Sequence, residues 1–257
     1  RRQRQMCIRD SEGFEGFELY FQPIYNTDED SLSGAEALIR WNSRKYGFIG
    51  PNTFIPLLED SALIIPLGRW IINTAAKACN RWITSIPDFV MHINLSFVQI
   101  VKSNIVKDVL ENIERYSAAN NHYVFEITET IEMDQIPAVQ NVFKEFVKNE
   151  FRFAIDDFGT GYSNYGYMRD RTFDIVKVDR SFVTDIDKLK DNYLMVSFII
   201  KMAHEMGLHV CIEGVETKEE LSCVKKLGAD YIQGYYYGKP VCLQDFEEQH
   251  LKRFVLG

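Results

Sequence analysis

The sequence predicts an α/β fold in which about eight parallel strands are wrapped by helices. Strand and helix segments alternate through most of the 257 residues. The strand segments are apolar on both faces, which is typical of a parallel sheet with helices packed on it. About eight strands in roughly 250 residues favour a closed (β/α)8 barrel. A doubly wound open sheet is the alternative that the pattern leaves open.

The composition limits the classes of protein to which the chain can belong. Apolar residues make up 46% of the chain and charged residues 26%, which is ordinary for a globular domain. The net charge of −8 provides no general attraction to DNA, RNA or anionic lipid. The five cysteines are scattered without CxxC spacing, which indicates a reducing compartment and argues against a zinc site. No apolar run approaches the roughly 20 residues of a membrane span. We therefore expect a cytoplasmic domain, anchored to a membrane only if an upstream segment spans it.

Eight short runs of β-branched, aromatic and aliphatic residues are predicted to form strands. Pro23 ends the first run, and Gly159 and Gly161 follow the fifth run in a loop. The predicted strands span residues 17–24, 32–41, 90–96, 123–128, 151–158, 173–179, 209–215 and 231–234.

Helices are predicted in the intervals because apolar residues recur there with the helical period. Pro51 begins a helical region, Pro87 ends the helix that follows, and Gly207 ends a later one. Thr217 and Glu220 form a capping-box pattern at the start of another helix. The predicted helices lie near residues 51–63, 67–83, 106–113, 139–147, 193–206, 217–228 and 243–254.

Polar residues interrupt the late part of each strand from the second strand onward. An ionised carboxylate in an otherwise apolar strand is costly unless it is paired or bound to a metal. One such residue is explained as a solvated strand end, but the repetition in successive strands is not. In a barrel these positions converge on the face where active sites lie. The interrupting residues are Glu36, Asn94, Glu126, Asp156, Asp157, Lys177, Glu213 and Gln233.

The types of these side chains indicate a site for hard cations. Carboxylate and amide oxygens without His or Cys select Mg²⁺ or Mn²⁺. Asp156 and Asp157 are neighbours, and neighbouring residues of an extended chain point to opposite sides. The pair is therefore suited to share two cations, and a hydrated loop cap is the alternative. Two-metal sites activate water and stabilise in-line attack on a phosphodiester.

Two basic residues accompany the acidic ones. Lys177 either balances their negative charge or holds the attacking water and stabilises the transition state, and both roles are compatible. Arg40 lies four residues after Glu36 and is suited to bind a phosphate. A surface salt bridge is the alternative for Arg40.

An ordered set of motifs resembles the EAL-domain family of cyclic di-GMP phosphodiesterases. The signature itself is EALIR at residues 36–40, and the resemblance covers the chain from about Phe17. Residues 1–16 are accordingly interpreted as a linker to an upstream region, and residues 17–257 as the phosphodiesterase domain. The further motifs are NLS at 94–96, EITE at 126–129, DDFGTGYSN at 156–164, FDIVKVD at 173–179, EGVET at 213–217 and QGY at 233–235.

The resemblance implies a fold, a reaction and partners. The implied fold is a modified TIM-like (β/α)8 barrel with one strand antiparallel to the others. The implied reaction is the hydrolysis of cyclic di-GMP to linear pGpG with Mg²⁺ or Mn²⁺, two cations per site. A homodimer and an upstream sensory or GGDEF-type domain are also implied. A non-catalytic cyclic di-GMP receptor or a signalling scaffold is the alternative.

The resemblance also implies roles for individual residues. The implied catalytic residues are Glu213, as general base or metal ligand, Lys177, beside the attacking water, and Glu36. The implied metal ligands are Glu36, Asn94, Glu126, Asp156, Asp157 and Glu213. The implied substrate-binding residues are Gln22, Leu38, Arg40, Glu216 and Gln233, the last also in the metal–water network. The implied loop-positioning residues are Glu129, Gly159 and Gly161. The chain departs from the family pattern at Asn164, Thr172 and Ile212.

Overall fold

The computed structural model describes residues 14–128, 137–160 and 172–252, and a closed barrel of eight strands lies at its centre. Two further short strands, β3 and β10, extend the sheet beyond the barrel. The strands are β1 Phe17–Asn26, β2 Ser31–Ser43, β3 Gly47–Ile49, β4 Val90–Asn94, β5 Tyr123–Thr128, β6 Arg152–Phe158, β7 Ile175–Val178, β8 His209–Glu213, β9 Tyr231–Gln233 and β10 Val241–Cys242.

One barrel strand runs against the others. The strand order is β10-β1-β9-β8-β7-β6-β5-β4-β2-β3, and an additional β1–β2 pairing closes the ring. Strand β1 is antiparallel to both of its barrel neighbours, β2 and β9. The pairings from β2 through β4, β5, β6, β7 and β8 to β9 are all parallel. The modified barrel is therefore confirmed, and the open-sheet alternative is excluded.

Helices cover the outside of the barrel. The capping-box prediction is confirmed, since Thr217 and Glu220 cap each other's backbone at the start of the seventh helix, and Gly228 ends that helix with a φ of 85°. The helices are α1 Pro51–Asp60, α2 Ile64–Trp82, α3 Phe97–Lys102, α4 Ile105–Ile113, α5 Pro137–Lys148, α6 Lys190–Glu205, α7 Lys218–Leu227 and α8 Leu243–Phe246.

The barrel interior has an apolar layer beneath a polar one. Residues two apart on a strand point the same way. The lower layer contains Ile24, Val124, Ala154, Ile175 and Cys211, which form one buried cluster. Two positions further toward the carboxyl ends of the parallel strands stand the acidic residues and the lysine of the sequence motifs. This alternation places the predicted site residues together, directly above the apolar layer of the barrel interior.

The predicted and observed elements differ mainly at short strands and at element ends. Strands β3 and β10 have three and two residues, too few to give a periodic pattern. The strand predicted at 90–96 ends at Asn94, because Ser96 caps helix α3. The last helix continues as a π-helical turn over Glu247–Leu251. Over the described ranges, no helix combines the length and the apolar character that a membrane span requires.

Candidate active site

Lys177 lies at the centre of four carboxylates. The side chain is fully buried inside the barrel. Its Nζ is 2.7 Å from Glu213 Oε1, 2.8 Å from Glu126 Oε2, and 3.3 Å from both Glu36 Oε2 and Asp156 Oδ1. One ammonium balances one carboxylate, so the cluster carries excess negative charge when every carboxyl group is ionised. Bound protons or a further cation must offset this excess.

The carboxyl groups divide into two types. Burial would raise the pKa of Glu36, but Lys177 and hydrogen bonds from two neighbouring amides outweigh it and hold this pKa at about 2. Burial raises the pKa of Glu213 to about 8, with Lys177 opposing and Asp156 adding to the rise. Burial and the Glu36 charge also raise the pKa of Glu126 well above its usual range. Glu36 is thus firmly ionised, whereas Glu126 and Glu213 hold protons more readily until a cation replaces them.

Two amide side chains orient Glu36. Asn94 Nδ2 donates to Glu36 Oε1 at 2.6 Å, and Gln233 Nε2 donates to Glu36 Oε2 at 2.7 Å. Gln233 Nε2 also lies 3.1 Å from Gln22 Oε1, and Gln22 Nε2 donates to the Gly238 carbonyl at 3.3 Å. The register of the β1–β2 hairpin explains these contacts, because it pairs Gln22 with Glu36. Gln22 and Gln233, two of the predicted substrate-binding residues, are therefore connected to the predicted metal ligands Glu36 and Asn94.

Asp156, Asp157 and Glu213 bring three carboxylate oxygens within 4.8 Å of one another. The backbone of Asp157 has a φ of 54°, and the β6–β7 register shifts between Ile155 and Phe158. The extended geometry that predicts opposite directions for the two aspartates therefore does not hold. The bulge turns Asp157 back toward the site. Burial and the charge of Asp156 raise the pKa of Asp157.

The donors present fit a hard divalent cation. The ligands assembled at this face are carboxylate and amide oxygens, which Mg²⁺ and Mn²⁺ prefer. Asp156 Oδ1 is buried and makes no hydrogen bond within the described part of the chain, although the Lys177 ammonium lies 3.3 Å away. Gln233 Oε1 is likewise buried without a hydrogen-bond partner there. A bound cation with its water would satisfy such oxygens and offset the excess negative charge.

His92 is a site residue that sequence reasoning missed. Its Nδ1 lies 2.8 Å from Glu126 Oε1, and both side chains are buried. Burial and the Lys177 charge lower the pKa of His92 to about 3, so the ring is neutral. A histidine within an apolar strand is indistinguishable from a core residue by pattern. The available signal was its position two residues before Asn94, on the inward face of β4.

A cleft of about 630 Å³ opens over the acidic cluster. Glu36, Asn94 and Asp156 form part of its floor, and helix α1 supplies one wall. Leu38 and Arg40 line it from strand β2. A second cavity of about 350 Å³ lies on the other side of Arg40. Aromatic and basic side chains line this second cavity, namely Tyr20, Phe48, Tyr235, Arg40 and Lys239.

Arg40 lines both cavities. Its guanidinium carbon lies 5.7 Å from the centre of the Tyr20 ring, and its Nη1 donates to the Ile39 carbonyl at 3.0 Å. No carboxylate of the described residues lies within ion-pair distance of Arg40. The surface salt bridge considered as an alternative is therefore not formed among these residues.

The remaining predicted residues have varied positions. Glu216 lies after β8, with its Oε1 3.8 Å from Arg180 Nη2, and it does not line either of these cavities. Gly159 has a φ of 96°, and a Cβ atom there would lie 2.7 Å from the Phe182 ring. Ile212 is fully buried in the outer core, on the opposite face of β8 from the inward Glu213. Glu129, Gly161 and Asn164 lie outside the described residues.

The fold and the site together define an α/β-barrel protein with an acidic cluster, suited to a hard cation, beneath a cleft. The EAL domain family matches residues 8–240, and the chain belongs to that family.

Similar proteins include both sequence relatives and solved structures. The uncharacterised protein sll1895 of Synechocystis is 34% identical over 246 residues, which cover 94% of this chain and 35% of that protein. Cyclic di-GMP phosphodiesterase PdeL of Escherichia coli K12 is 32% identical, with coverage of 88% and 62%. The solved structure of the EAL enzyme Bd1971 in its cAMP and cyclic di-GMP bound form is 34% identical with a TM-score of 0.88, covering 96% of this chain and 67% of that one. The chain spans less than half the length of three curated relatives that it matches.

Proposed function

We propose that this domain is a metal-dependent phosphodiesterase that hydrolyses cyclic di-GMP to linear pGpG. The observation that carries the proposal is the cluster of four carboxylates around Lys177 at the floor of a cleft lined by Arg40. An oxygen-rich floor suits cations, and a guanidinium at the wall suits a phosphate. Relatives named cyclic di-GMP phosphodiesterase support the substrate.

The residues that would hold Mg²⁺ or Mn²⁺ belong to two overlapping groups. Glu36, Asn94, Glu126 and Asp156 form the first group, and Asp156 is shared with a second formed by Asp157. When bound, the cations supply Lewis-acid stabilisation of the phosphoryl oxygens and an acidified water. Two cations per site are proposed from the family resemblance, and the group formed by Asp156, Asp157 and Glu213 could hold one of them.

Lys177 and Glu213 would act directly on the attacking water. Lys177 orients the water and stabilises the negative charge that develops on the phosphorus-bound oxygens. Glu213 would accept the proton of the water, because it lies 2.7 Å from Lys177 and bound cations would keep its carboxyl group ionised. The phosphorus forms a bond to the water oxygen, its bond to the ribose 3′ oxygen breaks, and that oxygen takes up a proton from solvent. Linear pGpG is left with a 5′ phosphate and a 3′ hydroxyl.

The cyclic dinucleotide would lie across the inner face of β2. Arg40 binds a phosphate, and the cavities on its two sides receive the two nucleotides. The aromatic rings of the smaller cavity provide stacking surfaces for a base. Leu38, Gln22, Gln233 and Glu216 complete the proposed substrate contacts, although Glu216 would have to leave Arg180 to do so.

A homodimer is proposed through an apolar surface at helix α6. Several large apolar side chains are exposed there, and Phe198 is 57% exposed. A concentration of exposed large apolar side chains on one element is uncommon on a monomer and is typical of an interface. Phe182, near the start of this region, packs against Gly159 of the loop after β6, so the surface adjoins the metal site. The exposed residues are Leu189, Tyr193, Leu194, Met195 and Phe198.

The context of the domain is also a proposal. Residues 1–16 would link it to an upstream sensory or GGDEF-type domain, and the domain would act in the cytoplasm. The support is similarity to longer relatives, such as the bifunctional diguanylate cyclase/cyclic di-GMP phosphodiesterase MucR of Pseudomonas aeruginosa. MucR is 30% identical, and the matched part is 33% of its length.

Incubation of the purified domain with cyclic di-GMP and Mn²⁺ tests the function, with the product separated by chromatography. We expect linear pGpG from the wild type and none from Glu36→Ala or Asp156→Ala, with unchanged circular dichroism. Asp187→Ala is the control, because this exposed acid is remote from the ligand network. Absence of product at high concentrations of folded protein would refute the proposal. Tight binding of cyclic di-GMP without turnover would instead indicate a receptor.

Dissociation of the dimer by a substitution tests whether the α6 surface forms the interface. Phe198→Glu introduces a charge at the most exposed of these five side chains and should yield a monomer by analytical ultracentrifugation. Lys77→Glu, at an exposed position of helix α2, serves as its control. A wild-type monomer at high concentration would contradict the dimer.

A further inference from the structure

The floor of the metal site is supported by one imidazole. The positions two residues before the polar cluster hold Val124, Ala154, Ile175 and Cys211 on four strands, all of them in the buried interior cluster. On β4 the corresponding position holds His92, which is 4% exposed and in register with Val124. A ring with two polar nitrogens is costly in this layer unless it forms a specific contact.

His92 contacts the cluster through Glu126 alone among the hydrogen bonds of the described residues. The imidazole Nδ1 lies 2.8 Å from Glu126 Oε1, while Lys177 Nζ lies 2.8 Å from the other oxygen, Oε2. Glu126 as a metal ligand is a carboxylate and offers only acceptors, so Nδ1 carries the proton and donates it. Donors at both oxygens fix the rotation of the carboxylate plane.

We infer that His92 is a positioning residue that holds Glu126 in the orientation needed to bind the first metal. This inference rests on the proposed function, in which Glu126 is a ligand. Once Oε2 turns to a cation, the hydrogen bond from His92 keeps Oε1 in place and prevents the carboxylate from rotating. Removing a residue that donates a hydrogen bond to a metal ligand typically weakens metal binding by roughly 10–100-fold.

Amide substitutions separate the hydrogen bond from packing. Asn carries its side-chain nitrogen near the position of histidine Nδ1, so His92→Asn should retain the donor. Gln carries its nitrogen further from the backbone, so His92→Gln should lose the donor. His92→Val supplies the apolar side chain typical of the layer. Val124→Ala is the matched control, because it removes buried volume beside His92 without removing a polar contact.

Calorimetric titration of the metal-free proteins with Mn²⁺ alone decides between these possibilities. We expect the dissociation constant of the first Mn²⁺ to rise roughly 10–100-fold in His92→Val and His92→Gln. It should stay within a few-fold of wild type in His92→Asn and Val124→Ala. At saturating Mn²⁺, turnover of His92→Gln should recover most of its loss, because the catalytic groups remain.

Two outcomes overturn the inference. Wild-type Mn²⁺ affinity in the Val and Gln variants would show that His92 does not act on the metal ligand. Equal weakening in His92→Asn and Val124→Ala would show that packing, and not the hydrogen bond, is responsible. If the Val variant fails to fold, the comparison of Asn with Gln gives the answer. Failure of the proposed function is distinguishable, because the wild type itself would then bind no Mn²⁺ or form no pGpG.

Discussion

Lys177→Met removes a buried cation that lies within 3.3 Å of four carboxylates. At an effective dielectric constant of about 20, each contact contributes roughly 5–6 kcal/mol, but desolvation of the buried groups offsets most of this. Proton uptake limits the remaining cost, because one proton replaces the lost charge. Protonating one carboxyl group of ordinary pKa at about pH 7 costs about 3.7 kcal/mol. We therefore expect the variant to lose about 3–4 kcal/mol of unfolding free energy in the metal-free protein.

Urea denaturation in EDTA, followed by tryptophan fluorescence, measures this loss. The folded variant binds one more proton than its unfolded state, so its stability rises relative to wild type as the pH falls. The difference should shrink to about 1 kcal/mol near pH 5. Lys188→Met is the control, because Lys188 is an exposed partner of Asp185, and its removal should cause no measurable change. A Lys177→Met variant within about 1 kcal/mol of wild type at about pH 7 would refute the charge-balance reasoning.

Three further predictions concern the turn after β6 and the opposite end of the barrel. Gly159→Ala places a Cβ atom at a positive φ and against the Phe182 ring, so it should lower the unfolding free energy by about 1–3 kcal/mol. Phe182→Ala should restore part of this loss in thermal denaturation, and an unchanged melting temperature in Gly159→Ala would contradict the prediction. Asp157→Asn should raise the Mn²⁺ concentration for half-maximal turnover at least about 10-fold if Asp157 holds the second cation, and an unchanged metal dependence would argue against that role. Burial would raise the pKa of Asp230, but hydrogen bonds from His209 and His204 outweigh this effect and hold that pKa at about 2. Asp230 in turn raises the pKa of His209. The stability contributed by Asp230 is present above about pH 4, and that contributed by His209 is present below about pH 6.5. Asp230→Asn should therefore lower the unfolding free energy by about 1–2 kcal/mol between these pH values, and by less at about pH 8, after allowance for partial exposure. A loss that does not change with pH in urea denaturation would contradict this linkage.

The barrel strands and the acidic cluster were predictable because both depend on a period of two. Glu126, Lys177 and Glu213 each interrupt an apolar run, and each stands two positions beyond a residue of the apolar layer. Alternation along a strand is a local property, so the sequence reveals it without any knowledge of tertiary contacts. Convergence of these residues then follows from closure of a parallel barrel.

Other features depend on contacts that no local pattern encodes. The left-handed backbone of Asp157 violates the alternation that the sequence implies, and only pairing with β7 reveals the bulge. His92 looks like a core residue until its partner on β5 is known. The family resemblance led us to expect one antiparallel strand but did not identify it as β1. The composition of a strand does not distinguish parallel from antiparallel pairing. The contacts of Glu216 depend on Arg180, which lies 36 residues earlier in the chain.

The hairpin of β1 and β2 is much longer than the rest of the barrel. These strands have 10 and 13 residues, whereas the other barrel strands have three to seven. Leu38 and Arg40 therefore lie within a strand, paired with Tyr20 and Glu18 of β1. Ligand contacts in such barrels more usually lie on loops. Asp157, in contrast, lies at a bulge that leads into a turn. If the domain acts as proposed, affinity for the substrate would depend on a paired strand and occupancy of the second cation on a turn. A disturbance of that turn would then lower the rate of hydrolysis while leaving ligand binding intact.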